Sequence, residues 1–337
     1  MAIETGGWVT MGEVAERAGV SKITVSRVLR SPDKVKQETR ERVRAAIAEL
    51  GYVPDEAAGG LSSRRSRIVG AVISTLAGST FASTVDGLGD RLRQNGHQLL
   101  LAGTDYSSAR EADAVAAMLG RRPDGLVLTS TTHRDDTRRT LEASRIPVVE
   151  IWELPVDPIG YAVGFSNRDA GAAMARHLLA AGRRRMAFIG TAGEDDRRGR
   201  LRYDGFAEVL EQSGIAEVRA TAAASGTQTA RGARGLAAVL ERWPDTDAVF
   251  CSSDTLALGA LSEARRRGLS VPEDIAIAGF GDFEFAGEFG LGLTTVRVPG
   301  PDIGEVAAQL ILDVNAGLEP PSRTVDLGFQ VIARATT

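Results

Sequence analysis

A chain of 337 residues, 43% hydrophobic and 25% charged, carries enough apolar material for two or three folding units. No run approaches the ~18 apolar residues of a membrane span, and the amino end MAIETGGWVT lacks the basic start and apolar stretch of a secretory signal. The lone Cys251 cannot form an intrachain disulfide, so a reducing, cytoplasmic setting is the expectation. The formal net charge of −4 is unevenly spread: residues 17–44 hold nine basic against three acidic side chains, +6 over 28 residues, leaving −10 for the remainder.

In chain order, the first elements lie in VTMGEVAERAGVSKITVSRVLR, Val9 to Arg30. Val14, Ala15 and Ala18 have helical spacing, with Glu13 and Glu16 facing away, and Gly19 suits a turn of positive φ. Ser21 is an N-cap candidate for a second helix in which Val25, Val28 and Leu29 face the core. Lys22, Ile23, Ser26 and Arg27 then share an exposed side. Helix, glycine turn and helix with a polar outer face is the helix-turn-helix plan, whose second helix enters the major groove by its amino end. Ser21 and Thr24 suit phosphate, Arg27 a guanine edge, Lys22 other base edges and Ile23 a thymine methyl. Thr10, at the start of the first helix, joins this set. A third helix, from about Gln37 to Leu50, brings Ala45, Ile47 and Leu50 to a small core. Charge alone would equally fit a solvated helix face.

Residues 54–67, PDEAAGGLSSRRSR, read as an interdomain linker. Beyond them, apolar runs alternate with amphipathic stretches. Strands are expected at 68–74, 97–104, 124–131, 147–152, 161–167, 185–190, 218–225, 247–253 and 275–282. Strands buried on both faces and alternating with helices imply doubly wound parallel sheets. The series breaks near 162–168 into two α/β lobes, and the final strand, helix and terminal strands are expected to cross back between them. Two such lobes enclose a cleft at their strand carboxyl ends. Small or polar residues recur there: Ser74-Thr75, Thr129-Ser130-Thr131, Glu150, Ser252-Ser253-Asp254 and Gly281-Asp282.

The segments VTMGEVAERAGVSKITVSRVLR and TRERVRAAIAELGYVPDEAAGGL resemble the headpiece of the lactose/galactose-repressor family (LacI/GalR). SSDTLALGALSEARRRGLSVPEDIAIAGFGD, TTVRVP and RLRYDGF resemble family segments in the same order. DGLVLTSTTH, ELPVDPIGYAVGFSN and TVDLGF are closest to its gluconate-utilisation repressor subgroup. The resemblance implies an all-α DNA-binding headpiece (1–53), a hinge helix (54–66) and a two-lobed domain like a periplasmic binding protein (67–337). Lobe 1 is expected at about 67–163 plus 296–325, and lobe 2 at about 168–292 plus 328–337. It also implies a homodimer on double-stranded operator DNA, with Leu61 as a wedge in the minor groove. Gly59 and Gly60 depart from the commoner Arg-containing hinge, each costing about 1 kcal/mol of helix propensity.

A metabolite in the cleft is implied to switch DNA affinity. Carried over by position, its contacts are Phe81, Glu150, Arg202, Ser253, Asp254 and Asp282, to which Thr129, Thr132 and His133 add further polar groups. Ser253 and Gly281 stand where the family commonly has Asn and Asp, and losing an aspartate suits an anionic ligand, a sugar acid such as gluconate or its 6-phosphate. Arg202 would clamp the acid, the competing reading being a surface ion pair within the basic run 197–200. A neutral sugar or nucleobase is the alternative effector. An enzyme is disfavoured, because His97, His133 and His177 are scattered and no metal, Walker or dinucleotide motif is present. A solute-binding transport protein would have no use for the headpiece. No cofactor is called for.

Overall fold

The computed structural model describes residues 8–54, 65–75, 81–190, 196–215, 217–222, 226–288 and 290–337. Most of the hinge segment, including Gly59, Gly60 and Leu61, lies outside the described residues. The chain forms two compact units, Met1–Ser66 and Arg67–Thr337. Among the described residues no helix is long and apolar enough to cross a membrane.

The first unit holds α1 (Met11–Ala18), α2 (Lys22–Arg30), a 3-10 turn (Pro32–Lys34) and α3 (Gln37–Leu50). Thr10 and Glu13 close a capping box at the start of α1. Gly19 ends the helix at φ 64°, and the Val20 N–H reaches back 2.9 Å to the Ala15 carbonyl, the bond that turns the chain toward α2. Val14, Ala15, Ala18, Val25, Val28, Val43, Ala46 and Tyr52 form the core. An ion pair, Arg17 Nη2 to Glu49 Oε1 at 2.7 Å, ties α1 to α3. Two sequence expectations are corrected. Leu29 is 38% exposed, because the buried stripe of α2 runs through Val25 and Val28 and Leu29 lies past its edge. Ala45 is exposed, because α3 turns Val43 and Ala46 inward with Ile47 and Leu50 half-buried beside them.

The second unit begins with β1 (Ile68–Ile73), α4 (Ala82–Gln94), β2 (Gln98–Gly103), α5 (Ser108–Leu119), β3 (Gly125–Leu128), α6 (Asp135–Ser144), β4 (Val148–Ile151) and β5 (Tyr161–Gly164). It continues with α7 (Asn167–Ala180), β6 (Met186–Gly190), α8 (Arg197–Gln212), β7 (Arg219–Ala222), α9 (Gln228–Arg242), β8 (Ala248–Cys251), α10 (Asp254–Arg266) and β9 (Ala276–Ala278). It closes with α11 (Glu284–Gly287), β10 (Thr295–Arg297), α12 (Gly300–Asn315), β11 (Thr324–Asp326) and β12 (Gln330–Ile332).

One parallel sheet has the order β11-β5-β4-β3-β1-β2 and a second β7-β6-β8-β9. The chain crosses between these lobes more than once. After β9 and β10 it returns to the first lobe through α12 and β11, which pairs Val325 with Val163. It then comes back as β12, antiparallel to β10 with Val296 opposite Val331. The central strands β3, β4 and β8 are buried throughout, which is why they read as unbroken apolar runs. Strands β4 and β5 are parallel yet joined without a helix, so the alternation of strand and helix lapses there.

Three helix pairs meet through reciprocal glycines. Gly87 of α4 faces the Pro301 carbonyl while Gly304 of α12 faces that of Thr84. Gly171 of α7 and Gly205 of α8 face the carbonyls of Arg202 and Arg168, and Gly232 of α9 and Gly259 of α10 face those of Leu256 and Thr229. A methyl group at any of the six would enter a partner's backbone, so the helices approach as closely as they do only because it is missing.

His133 joins two elements of the first lobe. Its Nδ1 lies 2.9 Å from Glu111 Oε1 on α5, and its Nε2 lies 3.3 Å from Glu150 Oε1 on β4. Burial disfavours its charge, but the hydrogen bonds to the two carboxylates outweigh that and push its pKa up to about 9. A group raised from 6.5 in this way contributes fully below about pH 6.5, and the contribution is lost as pH climbs through about 9.

Two outcomes follow. In paired thermal melts of wild type and His133→Gln, the stability gap should shrink steadily from pH 7 to pH 9.5; a constant gap would show that the imidazole is not charged. Gly304→Ala should lower unfolding stability by about 1–3 kcal/mol in a urea titration, from overpacking against Thr84.

Candidate nucleic-acid interface and candidate effector cleft

On α2 the structure presents Lys22, Ile23 and Arg27 to solvent, with Thr24 and Ser26 half-buried beside them. Ser21 caps the helix: its Oγ accepts the Thr24 N–H at 3.2 Å and lies 3.0 Å from Thr24 Oγ1. The first turn of α2 contains no acidic side chain, so its amino terminus keeps the positive end of the helix dipole uncompensated. Ile23 is 71% exposed. One exposed isoleucine is ordinary, but beside Lys22 and one turn before Arg27 it completes a face suited to base edges. The Thr10 hydroxyl is engaged differently from expectation: it donates to Glu13 Oε2 at 2.7 Å and accepts the Glu13 N–H, so a phosphate would have to compete with α1's own cap.

In the second unit, the two lobes face each other across adjoining cavities of about 270 and 560 Å³. Both are lined by Asp105, Tyr106, Asp196 and Arg198. Arg202, from the second turn of α8, is 7% exposed in the smaller one. Its Nη1 donates to Asn167 Oδ1 at 2.5 Å and its Nη2 to the Ser252 carbonyl at 3.2 Å. The guanidinium lies 4.0 Å from the centre of the Phe280 ring, and Nε is buried without a hydrogen-bond partner. Burial pushes its pKa down to about 10. Arg202 is therefore no surface ion pair.

Arg198, one turn earlier, was not singled out by sequence reasoning. It is 9% exposed and stacks on Phe81 at 5.0 Å. From the second lobe it reaches the first, donating to the Thr129 carbonyl at 2.5 Å and to Ser74 Oγ at 3.4 Å. The signal that would have found it is the four-residue spacing to Arg202, which puts both on the inner face of α8. Their neighbours are paired with carboxylates: Arg197 meets Glu153 on the wall of the larger cavity and Arg200 meets Asp204 within α8, each at 2.9 Å. Trp152 backs the site at φ 72°; its ring is edge-on to Phe81 and its carbonyl accepts Asn167 Nδ2 at 2.9 Å.

Of the residues expected at the ligand, Phe81, Arg202 and Ser253 line the smaller cavity and Thr129, Thr132 and His133 the larger. Two of these have no group to spare. The Thr129 hydroxyl accepts from Ser74 N–H at 2.6 Å and sits 2.7 Å from Ser74 Oγ, while both nitrogens of His133 are taken by carboxylates. Ser253 caps α10 through the Leu256 N–H and touches Gln228 Oε1 at 3.0 Å.

Glu150, Asp254 and Asp282 line neither cavity, and each is bonded within the fold. Glu150 accepts from His133 and from the Ile159 N–H at 2.7 Å. Asp254, fully buried, accepts from Thr295 Oγ1 at 2.5 Å and the Phe283 N–H at 2.8 Å, and burial pushes its pKa up to about 6. Asp282 is held by Arg297 at 2.6 Å and Arg334 at 2.7 Å, both beside the crossing strands β10 and β12. A carboxylate at a strand end is costly to bury, so each is spent on nearby donors. Tyr106, Asp196 and Gln228 line the cleft and went unnoticed in the sequence, since they sit in loops or at helix starts with no distinctive spacing.

The comparisons agree with this geometry. Residues 10–55 match the model for bacterial regulatory proteins of the lacI family, and residues 175–337 match a periplasmic binding protein-like domain. The HTH-type transcriptional regulator GntR of Pseudomonas aeruginosa is 39% identical over 340 residues, covering 99% of this chain and 97% of that protein. The crystal structure of a LacI-family transcriptional regulator from Silicibacter pomeroyi superposes with a TM-score of 0.90 at 35% identity, covering 97% of this chain and 99% of that one. The lac repressor dimer bound to operator and the anti-inducer ONPF gives 0.80 at 26% identity, covering 98% and 99%. With its helix-turn-helix unit joined to a two-lobed binding domain, the chain belongs to the lacI family and is a sequence-specific DNA-binding transcriptional regulator.

Proposed function

We propose that this regulator is a cytoplasmic homodimeric repressor whose operator affinity is switched by a sugar acid, such as gluconate, held in the interlobe cleft. One observation carries the ligand class. Arg202 is buried on an aromatic ring with an unsatisfied Nε, and no carboxylate among the described residues pairs with it. A guanidinium out of water with only neutral partners is poorly compensated, and a bound carboxylate supplies the missing charge and acceptors. For DNA, Lys22, Ile23, Ser26 and Arg27 would contact bases while Ser21, Thr24 and Thr10 lie near phosphates, with Leu61 as the minor-groove wedge. One α2 offers few base contacts, so specificity needs two copies on a two-fold site, the assembly in which the lac repressor neighbour was solved.

Coupling requires two lobe arrangements with different ligand and operator affinities. The interlobe contacts of Arg197 and Arg198 are the bonds that such a change would break or make. Selection of random duplex DNA by the full chain should return a two-fold symmetric site, and a single half-site would refute the dimeric reading. On that site, Arg27→Ala should lose about tenfold in affinity and relax one base position, whereas non-specific binding should change little. Arg202→Met should retain operator binding in a polarisation titration and lose its response to D-gluconate. A variant that still responds would remove Arg202 from the site.

A further inference from the structure

The proposed sugar-acid reading leaves open whether the far end of the effector is charged or neutral, and the cleft walls bear on this. In the larger cavity Arg198 bonds neutral oxygens, the Thr129 carbonyl and Ser74 Oγ, whereas the other charged wall residues are matched by an opposite charge or a backbone amide. Glu111 is matched by His133, Glu153 by Arg197 and Arg134 by Asp136, and Asp105 pairs with Arg110. Asp196 is occupied at the start of α8, accepting the Gly199 N–H at 3.0 Å. The rest of that wall is largely hydroxyl-bearing: Ser107, Ser108, Ser130, Thr131 and Thr132, with Tyr106 at the junction. Two cations in contact with no carboxylate among the described residues, Arg198 and Arg202, converge from one face of α8 on the smaller cavity, which Arg231 also lines, and Arg198 stands where the two cavities meet.

Resting on that sugar-acid reading, we propose that Arg198 and Arg202 form a two-arginine clamp for one anionic group, and that the larger cavity receives an uncharged polyhydroxylated tail. The effector is then an open-chain or cyclic monoanionic polyol. A second carboxylate or a terminal phosphate would enter a chamber whose other cations are already matched and whose carboxylates would repel it. Arg198 is the specificity residue of the pair, because it also bonds the opposite lobe and so ties the anion to the closed arrangement.

The test is calorimetric titration of the full chain with D-gluconate, D-glucose, D-glucarate and 6-phosphogluconate. Gluconate should bind, with the diacid and the phosphate at least tenfold weaker and glucose weaker still. Glucarate or 6-phosphogluconate binding as tightly as gluconate would overturn the neutral-tail assignment while leaving an acid effector intact. Binding of glucose with no acid bound would instead overturn the sugar-acid reading itself. Arg198→Met keeps an unbranched apolar side chain at this position while removing the guanidinium and should weaken gluconate at least tenfold, and wild-type affinity in a folded Arg198→Met would remove Arg198 from the clamp. If that variant does not fold, the four-ligand series on the wild type still decides the tail.

Discussion

Two guanidinium groups held out of water, with no carboxylate among the described residues in contact, are the constraint around which the cleft is organised. Arg198 and Arg202 are each stacked on a phenylalanine, Phe81 and Phe280, and each is bonded to neutral oxygens. Burial costs a cation less when its face lies on an aromatic ring and its edges find acceptors, yet both remain short of negative charge. Keeping them in place requires the close packing of α7 on α8, where Gly171 admits the Arg202 carbonyl and Gly205 that of Arg168. It also requires Trp152 to accept a positive φ so that its carbonyl can orient Asn167 beneath Arg202.

The acidic groups of the same region do the opposite work. Glu150, Asp254 and Asp282 are drawn away from the cleft and consumed by His133, by Thr295 and the Phe283 amide, and by Arg297 and Arg334. Three carboxylates are neutralised behind the cleft and those on its walls, Asp105, Glu111, Glu153 and Asp196, are each partnered, while Arg198 and Arg202 bond neutral oxygens, and this difference is what supports the proposed acid effector. The headpiece uses the same principle more simply: basic side chains crowd residues 17–44 while the chain as a whole is negative.

Much of this was legible in the sequence. The expected strands begin within one residue of the observed ones, because buried parallel strands must be apolar on both faces, but several run three or four residues past the observed ends, where small polar residues at the strand ends extend the apolar run. Gly19 and Ser21 marked the turn of the headpiece correctly, since local backbone geometry alone selects them. Leu29 and Ala45 were misplaced because a helical stripe is about 100° wide and residues at its margin are sorted by the neighbouring helix. At the cleft, position predicted proximity to strand ends for Glu150, Asp254 and Asp282 but not the direction in which their carboxylates are spent.

By itself the sequence determined the two kinds of unit, the parallel sheets, the reading helix and its local basic charge, because periodicity, capping and composition act over a few residues. Only the tertiary structure decided which charges are free. Arg198 in the run Arg197-Arg198-Gly199-Arg200 looks no different from its neighbours until α8 packs on α7, turning Arg198 inward with Arg202 while Arg197 meets Glu153 and Arg200 meets Asp204. Whether a charged side chain is compensated depends on groups from the other lobe, such as Thr129 and Ser74, which are far away along the chain and adjacent only in the folded domain.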